Sequence, residues 1–287
     1  MDQLKLFIEL TRLKKPIGFM LLFWPCAWGL TLAYDFMSNL KNYFFYLSLF
    51  FLGAVLMRSA GCIVNDILDK EFDKRVFRTK DRPIASGQIS VKLGITYVLV
   101  FCFCALLVLL NFNTITILLA LGSMPLAFTY PLMKRLTYWP QLFLGVTFNY
   151  GLLLGWTSVN QNLDIIPILL YIGAIFWTLG YDTIYGFQDI KDDEIIGLKS
   201  TSIKFKKEPF IFLFTCYFVL FLILIVLGIL KNFNIFYYVF SLIIGYHLFY
   251  YQLKSVDLKI PMNCLKIFKS NNLLGFLVFL QLLISKI

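Results

Sequence analysis

The segment FIFLFTCYFVLFLILIVLGIL, residues 210–230, contains no charged side chain. Its length matches the about 20 apolar residues that a helix needs to cross the hydrocarbon core of a bilayer. Eight similar apolar runs occur along the chain, at about 17–34, 43–64, 91–110, 114–132, 139–158, 165–186, 234–251 and 271–285. None of them alternates in polarity as the strands of a membrane β-barrel do. We therefore predict an all-α, polytopic membrane protein with nine transmembrane helices in a single domain, residues 1–287.

The composition supports this prediction. Of the 287 residues, 60% are hydrophobic and 15% are charged, whereas soluble globular proteins have about 45–50% apolar and about 25% charged residues. A soluble enzyme and a disordered protein are therefore excluded. The formal net charge is +10, from 26 Lys and Arg against 16 Asp and Glu. Such a charge also occurs in nucleic-acid-binding proteins, so the positions of the charges decide what it means.

The basic residues are concentrated on one side of the predicted membrane. The N-terminal segment and the loops after spans 2, 4, 6 and 8 hold 22 of the 26 Lys and Arg, and the opposite side holds three. Cytoplasmic loops carry an excess of Lys and Arg. We therefore expect the N-terminus and the long loops, at about 65–90, 187–209 and 252–270, to face the cytoplasm or the matrix. The charge then indicates orientation in the lipid bilayer of a bacterial inner or mitochondrial inner membrane, and no nucleic-acid partner.

Acidic residues are scarce, and nine of the 16 lie in two short segments at the cytoplasmic ends of apolar runs. The first segment contains Asn65, Asp69 and Asp73. These share one face if the helix continues, because residues four apart are neighbours on a helix. The second segment contains Asp189 and Asp193 at the same spacing. The two segments are therefore predicted to present carboxylates at the same end of the bundle.

Repulsion between these carboxylates is tolerable where a cation binds. Like charges four residues apart destabilise a helix, and a carboxylate at membrane depth costs about +2.5 kcal/mol or more. Oxygen ligands suit hard cations, and Mg²⁺ favours one or two carboxylates together with substrate phosphates. We therefore predict that the two segments hold metal ions that clamp one diphosphate. The alternative is that these carboxylates are solvated loop charges neutralised by neighbouring lysines. This alternative explains one such segment more easily than two.

Side chains that suit an anion flank both acidic segments. Arg58 lies inside an apolar span, seven residues before Asn65 and on the same helical face. An arginine in such a position is by default a functional-site candidate. The segments 78–87 and 197–201 each combine cations, hydroxyl groups and a glycine. These groups provide charges, donors and accessible backbone N–H groups for an oxyanion.

The two acidic segments resemble the NxxxDxxxD and DxxxD motifs of the UbiA superfamily of intramembrane aromatic prenyltransferases, and the resemblance covers nearly the whole chain. It implies nine transmembrane helices around a central cavity that opens laterally to lipid. It also implies that the motif residues bind Mg²⁺ and the diphosphate of a polyprenyl diphosphate donor, and are catalytic. The diphosphate-binding residues that it implies are Arg12, Lys15, Arg58, Arg78, Arg82 and Lys199.

Further strings resemble the branch of the superfamily that acts in ubiquinone biosynthesis and uses 4-hydroxybenzoate as acceptor. The most discriminating is Tyr130-Pro-x-x-Lys134-Arg135-x-Thr137-x-x-Pro140-Gln141. A departure is Lys14, where the pattern Arg-x-Asp-Lys-Pro-x-Gly has an Asp. The resemblance implies transfer of the prenyl group to the ring carbon ortho to the acceptor hydroxyl. The departure at Lys14 lies outside the metal motifs and leaves them unaffected.

Four residues are candidates for handling the acceptor. Arg135 is expected to bind the acceptor carboxylate, both by the motif match and because its planar fork suits a carboxylate. Tyr130 and Tyr185 are expected to orient the acceptor. Asp182, a catalytic candidate, and Tyr185 are hypothesised to help the phenol lose its proton. Aromatic side chains in the cavity wall are expected to shelter an allylic cation.

Two other functions remain open at this stage. A sibling prenyltransferase has the same motifs but another acceptor, such as haem or a naphthoate. A secondary transporter also carries ionisable residues, but places them near the membrane midplane. The acidic residues of this chain cluster at helix ends beside anion-binding segments, which favours a diphosphate-using enzyme over a transporter.

Overall fold

A computed structural model of the chain describes residues 3–76 and 79–286. This part of the chain consists of helices and turns without any strand, which confirms the predicted fold class. The α-helices are α1 (Gln3–Thr11), α2 (Ile17–Ala33), α3 (Leu40–Leu68), α4 (Lys70–Asp73), α5 (Val91–Leu109), α6 (Thr114–Thr129), α7 (Met133–Leu136), α8 (Pro140–Asn160), α9 (Ile165–Gly186), α10 (Ile190–Ile195), α11 (Thr201–Lys204), α12 (Pro209–Leu230), α13 (Ile235–Gly245) and α14 (Pro261–Ile284). A 3₁₀ turn, Tyr130–Leu132, joins α6 to α7, and a π-helix, Tyr246–Lys254, continues α13.

The nine predicted apolar runs correspond to nine long helical segments of the described chain. By length and composition, seven of these segments are suited to cross a membrane. The other two are α2, which has 17 residues, and α13 with its π-helical continuation. A helix of 17 residues is at the lower limit for a transmembrane span. The nine-span expectation is thus matched in the number of helical segments, and seven of them meet the length criterion.

The predicted loop at 252–270 differs from the structure, because α14 already begins at Pro261. The polar residues Lys266, Lys269 and Asn271 interrupt the apolar run and hide the first part of the helix in the sequence. Asn271 is nevertheless fully buried. Its side chain accepts a hydrogen bond from the indole of Trp177 at 2.7 Å, so a polar residue here is part of the helix packing.

The main core is built around α2, which packs closely against α8. A Cβ atom on Gly29 would lie 1.9 Å from the carbonyl oxygen of Leu152, and one on Gly155 would lie 2.3 Å from that of Cys26. Small residues allow helix backbones to approach in this way in membrane proteins. Behind this contact, the fully buried rings of Trp28 and Trp177 pack with centroids 5.0 Å apart.

A smaller core positions the segments at one end of the bundle. Leu6 and Leu10 of α1 pack with Ile63 of α3 and with Ile84 and Ile89 of the loop before α5. This contact joins three segments that are distant in sequence. Because α1 ends next to Arg12 and the loop contains Arg82, it also brings two predicted anion-binding residues to the end of α3.

Candidate functional site

The carboxylates of the first motif lie where α3 turns into α4. The α-helix ends at Leu68, and Asp69 has a non-helical backbone with φ −95° and ψ 5°. The helical hydrogen bonds nevertheless continue, because the N–H of Asp69 donates to Asn65 at 2.9 Å and that of Asp73 donates to Asp69 at 2.8 Å. The expectation of a continuing helix is therefore met with a bend at Asp69. This bend leaves Asp69 and Asp73 buried and Asn65 half-buried.

Asp69 is held by two cations from α7. Its carboxylate forms an ion pair with the ammonium of Lys134 through Oδ2, and Nη2 of Arg135 lies 3.3 Å from Oδ1. The same guanidinium nitrogen donates to the carbonyl oxygen of Leu68 at 2.7 Å, and the group lies over the ring of Phe72. The Asp69 side chain is 1% exposed, whereas those of Lys134 and Arg135 are 27% and 35% exposed, so a buried carboxylate is paired with two partly exposed cations.

Asp66 and Asp73 are bound by arginines from two other segments. Asp66 accepts hydrogen bonds from Arg12 at 2.5 Å and from Arg82 at 3.1 Å. Arg82 also donates to Asp73 at 2.7 Å. Burial raises the pKa of Asp73, as do the charges of Asp66 and Asp69, whereas Arg82 lowers it. The predicted diphosphate-binding residues Arg12 and Arg82 thus meet at the first motif.

The second motif lies beside the first. Asp189 precedes α10, and the N–H of Asp193 donates to the carbonyl of Asp189 at 2.9 Å. The loop that follows turns at Gly197, which has a positive φ of 75°, and the N–H of Leu198 returns to the carbonyl of Asp193. The next N–H, that of Lys199, donates to the carbonyl of Lys134 at 2.8 Å. Because Lys134 also pairs with Asp69, the two motifs are neighbours at one end of the bundle, as predicted.

Hydrogen bonds between α8, α9 and α11 fix the position of this loop. The N–H of Thr201 donates to the side chain of Gln141 at 2.9 Å. The hydroxyl groups of Thr201 and Thr183 are 2.6 Å apart, and the hydroxyl of Ser202 donates to the carbonyl of Thr183. All four residues are buried. The polar segment that includes Lys199 is therefore tied firmly to the bundle.

An apolar cavity of about 220 Å³ extends from this charged end into the bundle. It lies between α2, α3, α5, α6 and α8, with Arg58 and Tyr130 at the charged end. Phe50 and Phe112 line the opposite end, where their ring centroids are 4.7 Å apart. Eight helical residues separate Arg58 from Phe50, which corresponds to about 12 Å along the helix axis. The cavity is thus a narrow apolar space with a charged entrance.

The cavity also opens sideways between α5 and α6. Leu106 of α5 and Leu121 of α6 line it, and they are 39% and 47% exposed on the outer surface. Since these helices face the surroundings with apolar side chains, an occupant of the cavity has a path toward lipid. This is the lateral opening that the sequence resemblance implies.

Several predicted residues gather around Arg58. Its guanidinium lies over the ring of Phe148 and interacts electrostatically with Asp182, Tyr130 and Tyr185. The ring of Tyr185 also contacts that of Phe268, with centroids 4.5 Å apart. The predicted acceptor residues Tyr130 and Tyr185 therefore lie where the cavity meets the charged cluster.

Within the part of the chain that the structure describes, the other predicted diphosphate-binding residues Lys15 and Lys199 form no ion pair with the motif carboxylates. Lys15 lies in an exposed turn, and its side chain contacts no acidic residue of the described chain. Arg78 lies outside the described residues. Lys199 donates from Nζ to the carbonyl of Leu136. Within residues 3–76 and 79–286, no three His, Cys, Asp or Glu side chains are arranged as a metal-binding group.

Two residues of the site, Asp66 and Lys134, have no assigned role in the sequence analysis. Asp66 stands next to Asn65 but outside the four-residue spacing of the motif, and Lys134 stands next to Arg135. A buried charge must be paired to be tolerated. Asp66 is 2% exposed, so it requires the cationic partners that it has, but this burial follows from the folded structure and not from residue spacing.

Comparison with known proteins identifies the family of the chain. The profile of the family described as UbiA prenyltransferase family matches residues 22–280. The chain is 42% identical over 282 residues to the mitochondrial 4-hydroxybenzoate polyprenyltransferase of Bos taurus, covering 98% of this chain and 75% of that protein. It is 41% identical over 284 residues to 4-hydroxybenzoate geranyltransferase 1 of Lithospermum erythrorhizon, covering 98% and 90%.

Solved structures of low sequence identity share the fold. The apo structure of a UbiA homolog from Aeropyrum pernix K1 superposes with a TM-score of 0.77 at 21% identity, covering 93% of this chain and 98% of that one. A UbiA homolog from Archaeoglobus fulgidus bound to DMAPP and Mg²⁺ has a TM-score of 0.71 at 20% identity, covering 97% and 99%. At this identity, the likeness concerns the helical architecture.

Proposed function

Because the chain belongs to the UbiA prenyltransferase family, we propose that it transfers a polyprenyl group from polyprenyl diphosphate to 4-hydroxybenzoate, a step of ubiquinone biosynthesis. The new bond forms at the ring carbon ortho to the hydroxyl. The observation that carries the proposal is the junction at Arg58, where an apolar cavity meets a cluster of cations and carboxylates. A polyprenyl diphosphate has the same division into an apolar chain and an anionic head.

The donor is placed with its chain in the cavity and its diphosphate at the charged end. Apolar side chains line nearly all of the cavity, so an isoprenoid chain fits its chemistry. Arg12, Arg58 and Arg82 face the same end, and guanidinium groups suit phosphate oxygens because they donate in pairs. Lys199 contributes from the neighbouring loop. Lys15 and Arg78 remain part of this proposed diphosphate set by the sequence resemblance.

The motif residues are proposed to hold Mg²⁺. Asn65, Asp69, Asp73, Asp189 and Asp193 provide only oxygen donors, which fit a hard cation. Substrate phosphates commonly complete a Mg²⁺ ligand set, so the diphosphate of the donor would supply further oxygen ligands. When bound, Mg²⁺ supplies positive charge that stabilises the departing pyrophosphate.

The acceptor is proposed to lie between the diphosphate end and α7. Arg135 binds its carboxylate, and Tyr130 and Tyr185 orient its ring. When the allylic carbon–oxygen bond of the donor breaks, the bonding electrons leave with pyrophosphate. The allylic cation is attacked by the ring carbon and is sheltered by aromatic faces such as that of Phe148. Asp182, which faces Arg58, is placed to assist the loss of the proton that restores aromaticity.

The proposed location is an inner membrane, either mitochondrial or bacterial. Apolar helices of membrane-spanning length make this an integral membrane protein. The excess of basic residues near the site supports the proposal that the N-terminus and the active-site loops face the cytoplasmic or matrix side. The mitochondrial relatives favour the first of the two membranes.

The test is a prenyl-transfer assay with membranes containing the protein, polyprenyl diphosphate, Mg²⁺ and 4-hydroxybenzoate. We expect prenylated 4-hydroxybenzoate, dependent on Mg²⁺, and no product from the Asp189→Ala variant inserted to the same level. Prenylation of haem or a naphthoate in place of 4-hydroxybenzoate would assign the protein to a sibling activity. Solute flux into liposomes without any Mg²⁺-dependent product would contradict the enzymatic proposal and indicate a transporter.

A further inference from the structure

Arg135 has two competing carboxylate partners. Under the proposed function it binds the carboxylate of the acceptor, but in the structure its Nη2 lies 3.3 Å from Oδ1 of Asp69. The acceptor therefore has to bind a guanidinium that is already neutralised. The same nitrogen also donates to the carbonyl of Leu68 at 2.7 Å, which holds the guanidinium at the end of α3.

Each carboxylate oxygen of Asp69 already has a cationic partner. Lys134 binds Oδ2 and Arg135 binds Oδ1, and the side chain is 1% exposed. A divalent cation bound to this carboxylate would lie against the positive groups of Lys134 and Arg135, so metal binding competes with these two contacts. Lys134 and Arg135 are consecutive residues of α7, and both contact Asp69. Binding of a metal ion to Asp69 therefore affects both.

We propose that Asp69 couples the two substrates, by holding Arg135 until the donor and its divalent cation occupy the first motif. Released from Asp69, Arg135 keeps its bond to Leu68 and its stacking over Phe72. Its charge is then uncompensated and faces the acceptor carboxylate without competition. The inference rests on the proposed function, and it predicts that the donor binds first and that the acceptor binds tightly only afterwards.

The physical reason for the coupling is that the single negative charge of Asp69, which Lys134 and Arg135 now share, is taken up by a divalent cation when one binds. A close charge pair removed from water is far stronger than one at the surface, so Asp69 competes effectively with an acceptor carboxylate. Coupling between two ligands is reciprocal, and its usual size is 5- to 150-fold in affinity. We expect about tenfold here, since the Arg135 side chain is still 35% exposed.

The experiment measures binding of radiolabelled 4-hydroxybenzoate to the purified full-length protein in lipid nanodiscs. Inorganic pyrophosphate with Mg²⁺ replaces the donor, so no reaction occurs. For the unmodified protein we expect the Kd for 4-hydroxybenzoate to fall about tenfold when Mg²⁺ and pyrophosphate are both present. By reciprocity, 4-hydroxybenzoate should lower the Kd for Mg²⁺ and pyrophosphate binding together by the same factor.

The Asp69→Asn variant separates this coupling from simple loss of metal binding. It removes the charge that holds Arg135, so 4-hydroxybenzoate should bind about tenfold more tightly than to the unmodified protein when no Mg²⁺ is present. The matched control is Glu71→Gln, which removes an exposed carboxylate that pairs with Lys74 and does not contact Arg135. This control should keep the unmodified Kd and its response to Mg²⁺ and pyrophosphate.

A second variant keeps the test decisive if Asp69→Asn fails to fold. Lys134→Gln leaves Arg135 on Asp69 but removes one competitor, so Mg²⁺ should bind more tightly while acceptor binding stays dependent on the metal. An acceptor Kd that ignores Mg²⁺ and pyrophosphate, in a protein that still prenylates 4-hydroxybenzoate, would overturn the coupling alone. Absence of both binding and prenylation of 4-hydroxybenzoate would overturn the proposed function itself.

Discussion

The guanidinium of Arg12 donates a hydrogen bond of 2.5 Å to the carboxylate of Asp66. This bond joins the turn after α1 to the last helical turn of α3. Arg82 binds the same carboxylate oxygen at 3.1 Å. Asp66 is 2% exposed, so a single buried carboxylate orients two of the arginines that we propose to bind the diphosphate.

Replacing Asp66 with Asn should destabilise the protein and weaken donor binding. The shape of the side chain is kept, but Arg12 loses its charge partner and Arg82 retains only Asp73. Breaking a buried ion pair from one side costs about 3–5 kcal/mol. Because Arg12 and Arg82 are 24% and 21% exposed, we expect about 2 kcal/mol, measured as a lower midpoint of thermal unfolding in detergent. The KM for the donor should rise as well.

The exposed pair of Glu71 and Lys74 provides the control for this measurement. Exposed ion pairs contribute about 0–1 kcal/mol, so Glu71→Gln should leave both the unfolding midpoint and the donor KM nearly unchanged. If Asp66→Asn behaves like this control, Asp66 does not orient the two arginines.

The sequence was sufficient to predict the helices and the position of the two motifs, because both depend on local spacing. Apolar runs of about 20 residues have few alternatives to a membrane helix, and carboxylates four residues apart stay neighbours through the bend at Asp69. The start of α14 was not predictable in this way. Asn271 and Asn272 are paired across the bundle with Trp177 and Trp24, and such pairing leaves no local signal.

The partners of the motif carboxylates could not be predicted from the sequence either. Arg135 was assigned to the acceptor by its chemistry, but its contact with Asp69 arises from the way α7 packs on the end of α3. Lys134 received no role, although it pairs with Asp69 and its carbonyl binds the loop of the second motif. Contacts between segments more than 60 residues apart depend on the tertiary fold, which residue spacing does not encode.

Replacing Gly29 or Gly155 with Ala should separate α2 from α8. The new methyl groups would lie 1.9 Å and 2.3 Å from backbone oxygens, and backbone atoms cannot move aside as a side chain can. Forcing extra atoms into a packed interior costs about 1–3 kcal/mol or more. We expect either variant to lower the thermal unfolding midpoint and the yield of monodisperse protein. Gly122→Ala, where nothing lies within 4 Å of the new Cβ, should retain both.

Replacing Asn271 with Leu should destabilise the contact between α9, α12 and α14. The Asn271 side chain accepts hydrogen bonds from Trp177 at 2.7 Å and from Gln252 at 3.0 Å. Gln252 in turn accepts one from Tyr217 at 2.7 Å. Each buried group left without a partner costs about 1–3 kcal/mol, so we expect a loss of about 3 kcal/mol in the free energy of unfolding.

The exposed neighbour Leu273 supplies the comparison for this network. It lies on the same helix and is 52% exposed, so Leu273→Ala should change the free energy of unfolding by no more than about 0.5 kcal/mol. An equal loss from both variants, measured by urea-dependent proteolysis in the same detergent, would show that the buried hydrogen bonds carry no special stability.

Replacing Gly18 with Ala should lower turnover without much loss of stability. A Cβ atom at this position would lie 2.7 Å from Nε of Arg58, and the flexible arginine side chain can move away at little cost. Its guanidinium would then leave the junction between the cavity and the charged cluster. Since a displacement of about 1 Å in an active site can cost about a hundredfold in rate, we expect kcat to fall between about tenfold and a hundredfold.

A double-mutant cycle with Arg58→Lys shows whether Gly18 acts through Arg58. If the glycine serves only to leave room for the guanidinium, adding Gly18→Ala to Arg58→Lys should reduce turnover little further, because the displaced group is already absent. The two effects on kcat would then be strongly non-additive, as expected for residues in contact. Additive losses, with an unchanged unfolding midpoint for each protein, would instead mean that Gly18 contributes to turnover independently of Arg58.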